Sequence, residues 1–162
     1  MRTVIIGNSG SGKSTLARAL SEAGGVRVLD LDSVVWEPNQ VAVARDSTSV
    51  AADLERFCAQ NESWIIEGCY AHCARALFRY QPELVLLDPG KETCLRHCRA
   101  RPWEPHKYAS KAEQDAKLEF LLGWVAEYYE RDGDMSMRAH RALYDEYHGP
   151  KRIISVTSTL RI

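Results

Sequence analysis

At 162 residues and 45% hydrophobic side chains, the chain is long enough for one globular domain with a full core, and it holds no repeat, low-complexity tract or linker. Its formal net charge of −1 excludes a global attraction to nucleic acid or an anionic membrane, while leaving room for local basic clusters. No apolar run approaches the ~20 residues of a membrane helix, and Met1 leads straight into the first strand, so the expectation is a cytoplasmic protein without signal peptide or membrane partner.

The first element is the short β-branched run Thr3 to Ile6, ending at Gly7. Gly7, Gly12, Lys13 and Ser14 fit G-x-x-x-x-G-K-S/T at every fixed position. A helical pattern follows, with Leu16 and Leu20 four apart and Gly24-Gly25 as its stop. Strand, glycine loop and helix therefore come in the order a phosphate-binding loop requires. Val26 to Leu31 is the second strand, with Asp30 and Asp32 at its C-terminal end, and residues 33 to 45 read as loop. Asp46 caps an amphipathic helix to Gln60, whose Val50, Leu54, Phe57 and Cys58 share one face. Trp64 to Ile66 is strand three, closed by Glu67-Gly68, and a helix from about Tyr70 to Tyr80 follows. Leu84 to Leu87 is strand four. Lys91 to Arg101 is a helix with a basic second half, interrupted beyond Arg101 by Pro102 and Pro105. Ser110 with Glu113 makes a capping box for a long helix with the apolar stripe Leu118, Leu121, Leu122, Val125 and Tyr129. A last helix from about Ser136 to Tyr147 leads to strand five, Ile153 to Val156.

Five strands alternating with helices predict an α/β fold, a parallel sheet with helices on both faces, and a ligand site beyond the strands' C-terminal ends. Gly7, Asp30, Asp32, Glu67 and Asp88 all fall there.

The loop residues Gly7, Asn8, Ser9, Gly10, Ser11, Gly12, Lys13, Ser14 and Thr15 form the expected nucleoside-triphosphate site. Glycines let backbone N–H groups turn inward around phosphate oxygens, and the helix start adds a partial positive charge. Lys13 reaches the β- and γ-phosphates, and the Ser14 hydroxyl ligates Mg²⁺. Two residues apart on a strand, Asp30 and Asp32 point to the same side. Asp32 is assigned to the acceptor hydroxyl as base or orienter and Asp30 to a water on Mg²⁺; the rival reading gives one of them to capping the following turn. Glu67 stands where a Walker-B-like acid would hold Mg²⁺ through water, or is a plain strand-end carboxylate. Arg99 and Arg101 lead the catalytic cations of a basic group that includes Arg96 and Lys107, against the alternative of a solvated basic face. Trp36, Tyr70 and Arg75 are candidates to line the acceptor pocket. The five cysteines form no Cys-x-x-Cys pair; Cys69/Cys73 and Cys94/Cys98, beside His72 and His97, read as reduced thiols rather than a metal site.

With the Walker A loop, the Asp-Leu-Asp strand end, Trp64 to Gly68 and an arginine-rich segment in that order, the chain resembles the adenylate kinase/shikimate kinase group of small P-loop kinases. It looks most like the adenylate-kinase-like "topology modulation" proteins, with Glu67-Gly68-Cys69-Tyr70 where those often have Asp-Gly-Asn-Tyr. The resemblance covers nearly the whole chain. It implies one three-layer P-loop kinase domain over residues 1–162, a sheet of order 2-3-1-4-5, a mobile lid at about 100–148, and ATP with Mg²⁺. Paired acids after strand two would hold Mg²⁺ and the acceptor hydroxyl. The glycine triplet of shikimate kinases after strand three is missing, which argues against shikimate. The Pro102 to Tyr108 string is similar to bacteriophage kinases that phosphorylate hydroxymethyluracil in DNA, which implies modified DNA as an acceptor and a base turned out of the helix. The competing expectations are a small-metabolite or nucleoside monophosphate kinase, a regulatory NTPase, and a nucleotide-binding scaffold without turnover. A guanine-reading Asn-Lys-x-Asp is absent from the sequence. The assembly expected is a monomer or homodimer.

Overall fold

The computed structural model describes residues 1–38, 40, 42–105 and 108–155. The strands are β1 (Arg2–Gly7), β2 (Arg27–Asp30), β3 (Trp64–Gly68), β4 (Glu83–Leu87) and β5 (Lys151–Ile154). They form one sheet, all parallel as the alternating pattern predicts, in the order β2-β3-β1-β4-β5 that the resemblance implies. The helices are α1 (Lys13–Gly24), α2 (Asp32–Val35), α3 (Ser47–Gln60), α4 (Ala71–Ala76), α5 (Lys91–Arg99), α6 (Lys111–Ala116), α7 (Leu118–Ala126) and α8 (Met137–Glu146). Among the described residues, no helix is long and apolar enough to cross a membrane.

The central strands are continuous apolar runs because both sheet faces are covered. Val4, Ile6, Ile66, Leu84 and Leu86 pack to one side with Leu54 of α3, Ala74 of α4 and Leu143 of α8. Ile5, Ile65 and Val85 pack to the other side against Leu16 and Ala17 of α1. Each fully buried Ile or Leu contributes about 1.5–3 kcal/mol relative to exposure. In the register, Ile5 lies beside Glu67 on β3, and Asp30 of β2 lies beside Glu67 from the other side. Strand order thus brings the acid-bearing ends of β2 and β3 next to the loop that follows β1.

Four local expectations need correction. Residues 33–45 are not all loop: Leu31 is already helical (φ −61°, ψ −26°), and buried Val34 and Val35 close the one-turn helix α2. Its exit is fixed by an antiparallel bridge between Trp36 and Ala44. The helix expected from Tyr70 to Tyr80 stops at Ala76, tightens into a 3₁₀ turn at Phe78–Tyr80, and ends at Gln81 with φ 50°. The long helix after Ser110 divides at Lys117 into α6 and α7, and a 3₁₀ turn at Glu127–Tyr129 follows. A 3₁₀ turn advances each residue further around the axis than an α-turn. Tyr128 therefore takes the fully buried place that the stripe assigned to Tyr129, which is 36% exposed. Strand five starts earlier than expected, at Lys151, and Val156 lies outside the described residues.

The expected caps form. Asp46 accepts from the Ser49 N–H at 2.9 Å, and Ser110 Oγ from the Glu113 N–H at 3.1 Å. The Glu113 carboxylate reaches back to the Ala109 N–H at 3.0 Å, one residue beyond a standard capping box. α7 lies on α5, with Val125, Leu121 and Leu122 packed against Cys94, Leu95 and Cys98.

A buried polar chain ties this helical segment to the sheet. Fully buried His140 of α8 meets the Tyr128 hydroxyl with Nδ1 at 2.7 Å and the Cys69 carbonyl with Nε2 at 2.7 Å. A carbonyl only accepts, so Nε2 carries the proton and Nδ1 accepts from the phenol. Burial pushes the imidazole pKa down from 6.5 to about 4, although the Cys69 carbonyl favours the proton. Between those two values the unfolded chain binds a proton that the folded chain does not. Stability is therefore lost as pH falls from 6.5 toward 4, by up to about 1.4 kcal/mol per pH unit. Urea unfolding at pH 7, 6 and 5 is expected to show this loss, and His140→Gln is expected to flatten it; equal slopes for the two proteins would remove His140 from the acid response.

Candidate active site

The loop Asn8–Gly12 joins β1 to α1, and its shape dictates its glycines. Gly10 has φ 76° and Gly12 has φ 97°, a left-handed backbone that side chains rarely adopt. A Cβ on Gly10 would also sit 2.3 Å from the Cys94 carbonyl oxygen of α5. Three contacts brace the loop. Lys13 Nζ donates to the Asn8 carbonyl at 2.9 Å, and Asn8 Nδ2 donates to the Val125 carbonyl of α7 at 3.0 Å. His97 of α5 meets the Gly10 carbonyl with Nδ1 at 2.8 Å, so that nitrogen bears the proton.

Lys13 is 8% exposed. Burial alone would depress its pKa, but Cys69, Glu67 and Asp32 outweigh it and hold the ammonium above its usual range, with Arg101 opposing them. Cys69 helps only as a thiolate, and burial raises that thiol's own pKa, so at neutral pH the carboxylates do the work. Glu67 is 4% exposed and accepts from Ser14 Oγ at 2.6 Å. Burial pushes its pKa up, while Lys13 and the Ser14 hydroxyl pull it back.

The acids after β2 reach the site by a route the sequence did not suggest. Asp30 ends the strand and Asp32 opens α2, so they do not share a strand face. Asp30 Oδ1 accepts the Asp32 N–H at 2.9 Å, which is the turn-capping role set against its functional one. Both still line the cleft. Asp32 Oδ1 accepts from the Tyr70 hydroxyl at 2.6 Å, and that hydroxyl accepts from Trp36 Nε1 at 2.7 Å.

A cleft of about 870 Å³ lies at the C-terminal ends of the strands. Ser9 through Thr15, Asp30, Asp32, Glu67 and Arg101 line it together. Gly7 and Asn8 are not part of that lining, and Asn8 is buried as a brace. Tyr70 and Trp36 stand behind Asp32 rather than on the cleft wall. Arg75 is not at the cleft: on α4 it faces α8 and pairs with Glu146 at 3.0 Å. Arg99 is exposed on α5 and is likewise outside the lining, whereas Arg101 lines the cleft beside Glu104 at 3.4 Å. Lys107 and His106 lie outside the described residues.

Several lining residues were not assigned from sequence, among them Arg18, Cys69, His97, Trp103 and Glu104. His97 had a usable signal, since in a helix running to Arg101 it would stand four residues before that arginine on one face; α5 in fact ends at Arg99. Cys69 precedes α4, which starts at Ala71 and carries Cys73. Oxygen donors gathered at the Ser14–Glu67 pair, with Asp30 nearby on the cleft wall, fit a hard cation such as Mg²⁺ that completes its shell with water and phosphate.

The AAA domain family model matches residues 4–118, well over half of the chain, and the chain belongs to that family. No curated protein matches the sequence. Among solved structures, a sugar kinase from Janibacter sp. HTCC2649 is similar with a TM-score of 0.50 and 15% identity, covering 94% of this chain and 83% of its own. A gluconokinase from Sinorhizobium meliloti 1021 is similar with a TM-score of 0.51 and 16% identity, covering 96% and 82%. At these identities the likeness is one of fold.

Gly10→Ala is expected to force the loop away from α5 and weaken nucleotide binding at least about tenfold, with a stability loss of about 1–3 kcal/mol. Calorimetric titration with a nucleoside triphosphate and thermal unfolding of the variant check both.

Proposed function

We propose that this AAA-domain chain is an ATP-dependent kinase, one domain with a lid, that moves the γ-phosphate of ATP to the hydroxyl of a small polar acceptor. The observation that carries the reading is the shared cleft: a phosphate loop with its lysine, a hydroxyl–carboxylate pair and a second carboxylate face one cavity. Its volume, about 870 Å³, is at the upper end for small-molecule sites and suits a nucleotide with a small partner. The neighbours named sugar kinase and gluconokinase share the fold and favour a polyhydroxylated acceptor. A net charge of −1 supplies no long-range pull toward a polyanionic duplex, which favours a small acceptor over hydroxymethyluracil in DNA.

Backbone N–H groups of residues 9–14 and the N-terminus of α1 receive the phosphates. Lys13 gives up its contact with the Asn8 carbonyl to follow the charge that moves between the β- and γ-phosphates. Ser14 and Glu67, with Asp30 through water, would hold Mg²⁺, which when bound neutralises the β- and γ-phosphate oxygens. Asp32 accepts the proton of the acceptor hydroxyl and aims its oxygen in line with the γ-phosphorus. Arg101 faces the same cavity and offsets charge on the transferring group.

The test is incubation with γ-labelled ATP and a panel of glycerol, xylitol, D-glucose, D-gluconate and hydroxymethylated DNA. Label on a small alcohol is the expected result. Label on DNA would reassign the acceptor, and free phosphate alone would make the protein an ATPase. Lys13→Ala is expected to abolish turnover. Asp32→Asn is expected to keep ATP binding and lower transfer by about 10²- to 10⁴-fold.

A further inference from the structure

Tyr70 presents a buried phenol between the cleft and the core. It caps α4 two residues after β3, is 5% exposed, and packs in the large core cluster with Val34, Val35 and Ala71. Its hydroxyl lies 2.7 Å from Trp36 Nε1 and 2.6 Å from Asp32 Oδ1. An indole N–H can only donate, so the phenol oxygen accepts from Trp36 and its single proton is directed to Asp32. Burial raises the phenol's pKa, followed by the charge of Asp32 and the hydrogen bond to it, so the O–H stays a donor at any working pH. Trp36 is held in turn by its bridge to Ala44 and an edge-on contact with the Tyr70 ring, centroids 6.3 Å apart. The result is a one-way chain, indole to phenol to carboxylate, that enters the cleft wall from behind.

We propose that Tyr70, seated by Trp36, is a positioning residue that fixes the Asp32 carboxylate for the acceptor hydroxyl. The proposal rests on the reading of Asp32 as the residue that receives that hydroxyl. Asp32 sits on the first residue of a one-turn helix, and its own backbone N–H is taken by Asp30. A phenol donor held at the start of α4 gives that carboxylate a fixed direction, and transfer depends on its orientation. Neither ring needs to touch the acceptor.

Tyr70→Phe keeps the packed ring and removes only the donor. For transfer to D-gluconate, or to whichever alcohol of the panel takes the label, kcat is expected to fall about 10- to 100-fold with KM for acceptor and ATP held within about twofold. In an Asp32→Asn background the same change is expected to cost less than about twofold, since the two act as one unit. Trp36→Phe is the second variant, expected to show a smaller kcat loss and the same non-additivity. A crystal structure of Tyr70→Phe is expected to show the Asp32 carboxylate displaced or in several rotamers, a readout that needs no acceptor. Full kcat in Tyr70→Phe alongside a large loss in Asp32→Asn would overturn this proposal and leave the kinase reading standing. A raised acceptor KM with unchanged kcat would overturn it in favour of direct acceptor contact, as would losses that multiply independently. Unchanged transfer in Asp32→Asn would overturn the proposal together with the role of Asp32.

Discussion

A lysine ammonium sits almost out of solvent inside the turn that follows the first strand. An unpaired buried ammonium costs several kcal/mol, more than any single hydrogen bond returns, so anions must converge on it. The sheet supplies them by its order. Placing β3 between β1 and β2 sets Glu67 beside both Ile5 and Asp30 and delivers the acidic strand ends to one point. Glu67 and Asp32 hold the proton on Lys13, and Lys13 lowers the cost of burying Glu67. The loop, the sheet order and the acids are thus parts of one electrostatic arrangement.

That arrangement is coupled to the helical segment after α5. The Asn8 amide reaches the Val125 carbonyl of α7, and Tyr128 reaches through His140 to the carbonyl of Cys69, next to the end of β3. Arg131 extends the tie, its guanidinium 3.5 Å from the Trp124 ring centroid and hydrogen-bonded to the Trp124 and Met135 carbonyls. Groups that would respond to phosphate therefore share backbone with groups that seat α7. The phosphate loop and α7 are thus joined by a direct hydrogen bond.

How much of this could be read from residues alone depended on the range of the forces involved. The strands were legible, because continuous apolar runs alternating with helices signal a buried parallel sheet, while their order came only from the resemblance to small P-loop kinases. The caps at Asp46 and Ser110 were legible because capping is local. The split at Lys117 and the early end of α4 were not, since tertiary packing decides them against unbroken helical patterns. Arg75 shows the same limit from the side of function. It is basic and follows the acidic strand end, but Glu146, 71 positions later in sequence, takes it to the far side of α4. Trp36 and Tyr70 were expected on the pocket wall and lie behind Asp32, because no local pattern shows that a phenol is wedged between an indole and a carboxylate.

The two aspartates after β2 look equivalent in sequence and are given different work by one residue of chain. Had β2 continued through Asp32, both carboxylates would emerge on one face and compete for the same cation. Leu31 turning helical prevents this, and its fully buried side chain holds the turn. Asp30 then spends an oxygen on the backbone of Asp32, while Asp32 faces a phenol from the start of α4. One carboxylate is tied to the strand end beside Glu67, where the oxygen donors gather, and the other is aimed from an independent support. The kinase reading proposed above calls for one carboxylate near a cation and another toward an alcohol, and the departure from strand to helix at a single leucine separates the two.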